Sequence, residues 1–275
     1  MSAEQPARVA ELYNTVWSDD APVYEVVRHS QGPRDSDSLY GALGELGVTP
    51  QSTVLDLGSR DAYYSLEIAQ RFGCRVIGID PVPLHRDQAL TAIREAGLEG
   101  RVEPLVAAAE ELPLADGAVT HVWCRDTLNH VELARGLPEC RRVLAPGGRM
   151  LVYQTFAGPA MEPKEVSRLC SAMAFVLENM QPAFFERAAQ KAGFVVERAW
   201  VVGGEFREAN LESEFAERDL TADLLAVSRL NRRYAELERT FGRAKVEATW
   251  ADCVWIPYHL IGKLEGRVYT LARAG

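Results

Sequence analysis

VLDLGSRDAYYSLEIA, residues 54–69, sets the architecture. Val54–Leu57 is a short apolar strand, Gly58 opens a turn, and 61–72 is helical, with Gly73 as its stop. The same alternation runs on from there. Arg75–Ile79 is a second strand ending at Asp80, Pro83–Ala96 a helix, Val102–Ala107 a third strand and Val119–Cys124 a fourth. A helix over 131–144 is expected to halt at Pro146-Gly147-Gly148, with a fifth strand over Arg149–Thr155. Strand and helix alternating at this spacing imply parallel βαβ units with right-handed crossovers and helices on both faces of one sheet. The strands are apolar throughout rather than alternating, as a sheet covered on both sides requires.

The flanks differ. Residues 5–17 read as an amphipathic helix through Val9, Leu12, Tyr13 and Val16, and a second helix covers 37–46. SQGPRDSDS, residues 30–38, reads as the loop between them. Beyond the fifth strand, helices are expected over 163–178 and 182–192, a strand over Phe194–Val202, and a last strand over Arg267–Ala272. About sixty residues of helical pattern, 207–263, precede that last strand, where an insertion can carry specificity. The expected organisation is a helical lid over 1–49, a core over 50–202, a helical cap over 203–263 and the final strand over 264–275.

Composition narrows the function. The 275 residues carry 39 acidic and 30 basic side chains, net −9, which argues against a free-standing nucleic-acid binder. No apolar run approaches the ~20 residues needed to span a bilayer, and the polar start of the chain does not read as a signal peptide. Five scattered cysteines, none in a CxxC pair, read as buried thiols in a reducing cytoplasm rather than a disulfide frame or a zinc site. No HxxxH pattern is present, and no metal is expected. Arginine supplies 26 of the 30 basic residues, a bias that points to a GC-rich genome rather than to chemistry.

In an open α/β sheet, ligands lie beyond the carboxyl ends of the strands. The residues there are Asp56, Gly58, Ser59 and Arg60, then Asp80 and Pro81, then Ala109 and Glu110, then Arg125 and Asp126. Gly58 lets backbone approach a ligand, and the following helix aims its positive N-terminus at the same point. Asp80, 22 residues after Gly58, can accept from both hydroxyls of a ribose. Together they imply a nucleoside. A pyrophosphate-binding G-x-G-x-x-G would place glycine where Arg60 and Tyr63 stand, which disfavours an NAD(P)-dependent oxidoreductase.

Four blocks in order, VLDLGSRDAYYSLEIA, VIGIDPV (76–82), AAAEELPLADGAVTHVWCRDTLNHV (107–131) and RVLAPGGRMLV (142–152), resemble the class I S-adenosyl-L-methionine (SAM)-dependent methyltransferases. The chain is similar to the small-molecule enzymes related to the ubiquinone/menaquinone biosynthesis methyltransferases, over about 50–156 with a weaker echo at 182–197. The resemblance implies a Rossmann-like, seven-stranded, mostly parallel sheet and SAM as cofactor. It implies that Asp56 and Gly58 hold the methionine amine, Asp80 the ribose, and Pro81, Ala109 and Glu110 the adenine, while Arg125 and Asp126 meet the methionine moiety. It also implies a small-molecule acceptor and transfer to N, O or C, in a cytoplasmic monomer or homodimer serving secondary metabolism. A SAM-binding protein of the same fold that acts as a cyclase or a binding module is the alternative.

Two departures stand out. The family pattern G-x-G-x-G reads Gly58-Ser59-Arg60-Asp61-Ala62, and the usual acid near the adenine amino group is Ala108. Arg60 is either a surface arginine on an adapted turn or a planar partner for the methionine carboxylate. His130, after the fourth strand, and His259, in the cap, are candidate general bases, each with a structural reading beside it. Trp255 and Tyr258 could line the acceptor site, although Trp250, Val254 and Tyr258 also form an ordinary core stripe. Tyr13, Trp17 and Tyr24 are either packing residues or lid aromatics that shield the sulfonium. His29, His85 and His121 are given no role.

If Arg60 holds the methionine carboxylate, Arg60→Ala weakens SAM binding by roughly 1.5–3 kcal/mol, the worth of a charged hydrogen bond. Calorimetric titration reads this directly, and an unchanged dissociation constant leaves Arg60 as surface.

Overall fold

The computed structural model describes residues 4–16, 27, 36–212 and 219–274, apart from the side chains of 4, 12–16, 36, 209 and 210. Two compact units emerge, Met1–Pro33 and Arg34–Gly275. The first contains helix α1 (Glu4–Val16). The second holds every strand, in one seven-stranded sheet of order β3-β2-β1-β4-β5-β7-β6.

The strands are β1 (Thr53–Leu57), β2 (Arg75–Asp80), β3 (Val102–Val106), β4 (Val119–Arg125), β5 (Leu144–Ala157), β6 (Phe194–Val202) and β7 (Leu264–Arg273). The first five pair in parallel, and β7 runs antiparallel to both β5 and β6. The strand order turns outward in both directions from β1 and β4, so the topological switch point lies between them. That is where a doubly wound sheet opens its crevice.

Both faces of the sheet are apolar because alternate residues feed two separate cores. Leu55, Leu57, Ile77, Ile79, Val122, Cys124 and Val152 pack with Leu137 and Cys140 of α5 (Leu133–Val143) and Phe185 of α7 (Pro182–Lys191). Val54, Val76, Trp123, Leu151 and Tyr153 pack with α2 (Ser36–Glu45), α3 (Tyr63–Phe72) and α4 (Pro83–Glu95). Helix α2 therefore belongs to the core, which corrects the lid boundary drawn at residue 49. Its Leu39 and Leu43 are buried, and Tyr40 stacks on Trp123 with ring centroids 5.3 Å apart.

The cap is made from more than the expected insertion. Helices α9 (Leu220–Phe241) and α10 (Arg243–Leu260) form a hairpin, while α6 (Pro163–Met173) supplies Leu169 and Cys170 to the same core as Leu230, Val246, Trp250 and Val254. Arg168 of α6 clamps the hairpin. It donates to Glu247 at 2.7 and 3.2 Å, and its guanidinium lies 3.7 Å above the Trp250 ring.

Two element boundaries move. Pro146-Gly147-Gly148 does not separate helix from strand. The helix ends at Val143, and β5 starts at Leu144, opposite Val119, with an irregularity in the register before His121. The helix expected over 163–178 stops at Met173 because Ala174 turns left-handed, and a 3-10 turn, Leu177–Met180, follows. All five cysteines are buried thiols. Among the described residues no helix is long and apolar enough to cross a membrane.

Gly58 is the tightest point of the frame. Its φ is +82°, and a Cβ there would lie 2.0 Å from Thr127 Oγ1 and 2.6 Å from Thr127 Cγ2. Gly58→Ala is expected to destabilise the fold by about 2–5 kcal/mol, combining the left-handed penalty with displacement of a packed side chain. Urea unfolding should show a lower midpoint at unchanged slope. A midpoint equal to wild type means that the β4 loop yields freely.

Candidate functional site

At the switch point the turn after β1 lies against the loop after β4. Gly58 and Ser59 both donate to Ile79 O, at 2.8 and 3.1 Å, tying the turn to β2. Thr127 Oγ1 donates to Leu57 O at 2.9 Å and approaches Arg125 O at 3.2 Å, tying β4 to β1. The positions that carry glycine in the family pattern keep glycine-like backbone here. Arg60 has φ 47° and Ala62 φ 70°. The loop shape is thus retained without the residue that most easily adopts it.

Asp80 ends β2 and is the hub of the crevice. Its Oδ2 accepts from Arg60 N at 3.2 Å, and its Oδ1 accepts from Val82 N and His85 Nδ1, each at 2.9 Å. The carboxylate is oriented by amides from both neighbouring turns, and the pairing with His85 adds a site residue that sequence reading set aside. The clue available was position. His85 is in the first turn of the helix that follows the strand-end acid, five residues on. The Arg60 guanidinium is exposed and has no partner among the described residues, so it is available at the lip of the crevice. His121, by contrast, is structural. It is buried in β4, accepts from Thr120 Oγ1 at 2.9 Å and donates to Leu46 O at 3.1 Å.

Asp56 is 1 % exposed, beneath the turn, and accepts from Ser65 Oγ at 2.6 Å. Burial raises its pKa to about 7, the Ser65 hydroxyl opposes that rise, and Asp80 reinforces it. Asp56 therefore acts from behind the turn rather than as an open ligand. On the β3 side, Pro81 is exposed, Ala109 is buried, and Glu110 Oε1 accepts from Glu132 N at 2.8 Å, fixing the approach to α5.

Beyond β4, Arg125 is half-buried among aromatic rings. Its guanidinium carbon lies 4.4 Å from the Tyr64 ring centroid, 5.3 Å from Phe206 and 5.8 Å from Tyr153. Asp126, at φ 52°, faces the other way, and its Oδ1 accepts from Thr155 N at 2.7 Å. Burial raises the Asp126 pKa, while Arg207 and Arg125 oppose that rise. Phe206 and Arg207 belong to α8 (Glu205–Glu212), which follows β6 directly, and Phe206 stacks on Tyr153 at 5.1 Å. Sequence reading missed both. The strand-end rule that located Arg125 applies equally at the end of β6, but residues from 203 onward were assigned to the cap.

The two candidate bases differ. His130 is exposed and donates from Nδ1 to Ala174 O at 3.3 Å, which leaves Nε2 free to accept. Desolvation lowers its pKa, with the Ala174 carbonyl, Asp126 and Asp80 opposing. His259 is 1 % exposed, with neither ring nitrogen hydrogen-bonded, and burial followed by Arg207 pushes its pKa down to about 3. It is a neutral imidazole at ordinary pH and a weak base. A line of edge-on rings joins the two: His130 to Phe175 at 4.8 Å, Phe175 to Trp255 at 6.0 Å, and Trp255 to His259 at 5.4 Å. Trp255 thus lies between Phe175 and His259. Tyr258 turns toward α6, where its hydroxyl donates to Glu165 at 3.3 Å, so the structure places it in the cap core rather than beside an acceptor. Trp17, Tyr24 and the side chain of Tyr13 lie outside the described residues.

A doubly wound sheet with a glycine turn after β1 and an oriented acid after β2 defines a Rossmann-like domain. Residues 55–152 match the family described as a methyltransferase domain. The core is therefore similar to a methyltransferase domain over these residues. The chain is 24% identical over 189 residues to a glycine/sarcosine/dimethylglycine N-methyltransferase of Actinopolyspora halophila, covering 66% of this chain and 33% of that protein. It is 34% identical over 133 residues to an uncharacterized methyltransferase of Mycobacterium bovis, 48% of this chain and 49% of that one. The chain thus spans half or less of the length of these relatives. Among solved structures it resembles a putative sarcosine dimethylglycine methyltransferase from Galdieria sulphuraria, with TM-score 0.66, 17% identity, and coverage of 86% and 84%.

The buried Asp56 carboxyl makes stability pH-dependent. Its native pKa of about 7 lies above the 3.8 of an unconstrained aspartate, so between these values the native state holds a proton that the unfolded chain releases. That contribution is fully present below 3.8 and is lost as pH rises to about 7. Asp56→Asn should flatten this fall, measured by urea unfolding at intervals from pH 4 to 8. A variant with the wild-type pH profile would assign the dependence to other groups.

Proposed function

We propose that this protein transfers the methyl group of SAM to a small-molecule acceptor. The observation that carries the reading is Asp80, whose two oxygens are aligned by amides from the turns after β1 and β2, at the switch point of the sheet, in the same turn as an Arg60 side chain without a partner among the described residues. That arrangement fits a ribose diol at Asp80 and a carboxylate at Arg60, the two ends of an adenosine bearing an amino-acid tail. Gly58 supplies close backbone approach. Pro81, Ala109 and Glu110 border the adenine side, and Asp56 supports the turn from behind. SAM, when bound, supplies a methyl group on a sulfonium.

The task of the chain is then alignment. An in-line displacement needs the accepting atom held opposite the leaving sulfur and water kept away. Trp255, Phe175 and the rings around Arg125 supply apolar walls. Where the acceptor carries a proton that must leave, His130 Nε2 is the group positioned to take it, because its Nδ1 is already committed to Ala174 O. The neutral, enclosed His259 is a positioning residue in this reading. The names of the sequence relatives favour methyl transfer over the cyclase or binding-module alternative. The reading extends to a cytoplasmic enzyme of secondary metabolism, monomeric or homodimeric, with buried cysteine thiols supporting a reducing compartment.

Calorimetry with S-adenosylhomocysteine (SAH) tests the cofactor. Wild type should bind it and bind NADH far more weakly. Asp80→Ala should lose roughly 1.5–3 kcal/mol of SAH binding, since a charged acceptor to the ribose is removed. SAH formation from SAM over a panel of small amines, phenols and carbon acids then tests transfer. Equal SAH affinity in wild type and Asp80→Ala removes the site from the proposal.

A further inference from the structure

Arg125 and Arg207 are two enclosed guanidiniums that the cofactor reading does not use as a pair. Arg207 is 9 % exposed, and its Nε is without a hydrogen-bond partner. The guanidinium carbons of Arg125 and Arg207 lie 5.3 and 5.6 Å from the same ring, that of Phe206. Burial lowers the pKa of Arg125, and the charge of Arg207 adds to that effect. Neither forms an ion pair among the described residues. The acid nearest in charge to both, Asp126, is already committed to β5, where it accepts from Thr155 N. The other titratable neighbours include the phenols of Tyr64, Tyr153 and Tyr40, burial raising the pKa of Tyr153 to about 12 and that of Tyr40 also upward, and His259, which is neutral. Two like charges that flank one ring, largely out of water and sharing one acid, are costly unless an anion joins them.

We infer that the acceptor carries a carboxylate, received by Arg125 and Arg207 within the ring enclosure of Tyr64, Tyr153 and Phe206. Charge selects a carboxylate over a phosphate. Two guanidiniums offset by Asp126 leave one net positive charge, which matches a monoanion, and the guanidinium fork fits a planar carboxylate. The aromatic walls accommodate an apolar body beside the acid. Arg207 lies on α8, which follows the edge strand β6, four places from β1 in the sheet order, whereas the cofactor turn follows β1 itself. An anion there is therefore part of the acceptor rather than the amino-acid tail of the cofactor. The inference rests on the methyl-transfer reading of the same site and names its substrate class.

The test titrates SAH-saturated protein with phenylacetate, its neutral amide phenylacetamide, and phenyl phosphate. Phenylacetate should bind at least about tenfold more tightly than the amide, the factor expected for charge-assisted hydrogen bonds from arginine. Phenyl phosphate should bind more weakly than phenylacetate. Arg207→Met should abolish the preference for phenylacetate over the amide and leave SAH affinity in place. The wild-type comparison needs no variant, and Arg125→Met serves where Arg207→Met does not fold. No preference for the carboxylate, tighter binding of the phosphate, or a preference that survives Arg207→Met overturns the inference. Failure of SAH itself to bind is a failure of the methyl-transfer reading. The three probes titrated without SAH then still decide whether the arginine pair takes a carboxylate.

Discussion

The close approach of two strand ends governs this molecule. Gly58 and Thr127 occupy the same small volume, and only the absence of a side chain at residue 58 lets the Thr127 hydroxyl reach the carbonyl of Leu57. With β1 and β4 locked at their carboxyl ends, the loop after β4 cannot continue straight. It reverses at Asp126 in left-handed backbone, places Asp126 on β5 through Thr155, and leaves Arg125 among the rings of Tyr64, Tyr153 and Phe206. The 3-10 turn Leu128–His130 follows, and it sets His130 against Ala174 and Phe175. One steric constraint thus passes from the cofactor turn to the cap side of the site.

The turn after β1 shows how geometry can outlast the residues that usually specify it. Left-handed backbone costs a side-chain-bearing residue about 1–2 kcal/mol relative to glycine. Arg60 and Ala62 both adopt it. Their backbone is held by bonds that do not depend on their identity: Arg60 N to Asp80, and Ala62 N to Ser59 O at 2.8 Å. Such strain persists where surrounding structure over-determines it, and it gathers at functional sites. In exchange for the glycine, the turn carries a guanidinium at the lip of the crevice, where a helix N-terminus alone would offer only part of that charge.

The sheet and the strand-end residues of the candidate site were legible because each depends on local signals. Apolar runs punctuated by Gly58, Gly73 and Gly97 define βαβ units, and the strand-end rule then selects Asp80 and Arg125 without tertiary knowledge. The remainder depended on contacts distant in sequence. Helix α2 carries no mark that it stacks on Trp123 rather than covering the site. Pro146-Gly147-Gly148 resembles a stop, yet pairing of Leu144 with Val119 carries the strand through it. Arg207 lies inside the stretch of helical pattern, 203–263, that reads as the cap. Only the fold shows that it is buried against Phe206.

Helix α10 shows how one element can serve stability and chemistry on separate faces. Trp250, Val254 and Tyr258 recur every four residues and meet α6, where Arg168 and Glu165 meet them. Trp255 and His259, also four apart, form a second stripe turned toward Phe175 and Arg207. The two stripes differ in kind. Every polar group named on the first is paired, as a stable core demands, whereas the second holds an imidazole with neither nitrogen hydrogen-bonded, near an arginine with an unpartnered Nε. A cation beside aromatic faces recovers up to ~2 kcal/mol, less than the several kcal/mol that burying a charge costs. The second stripe is therefore not where this fold gains stability.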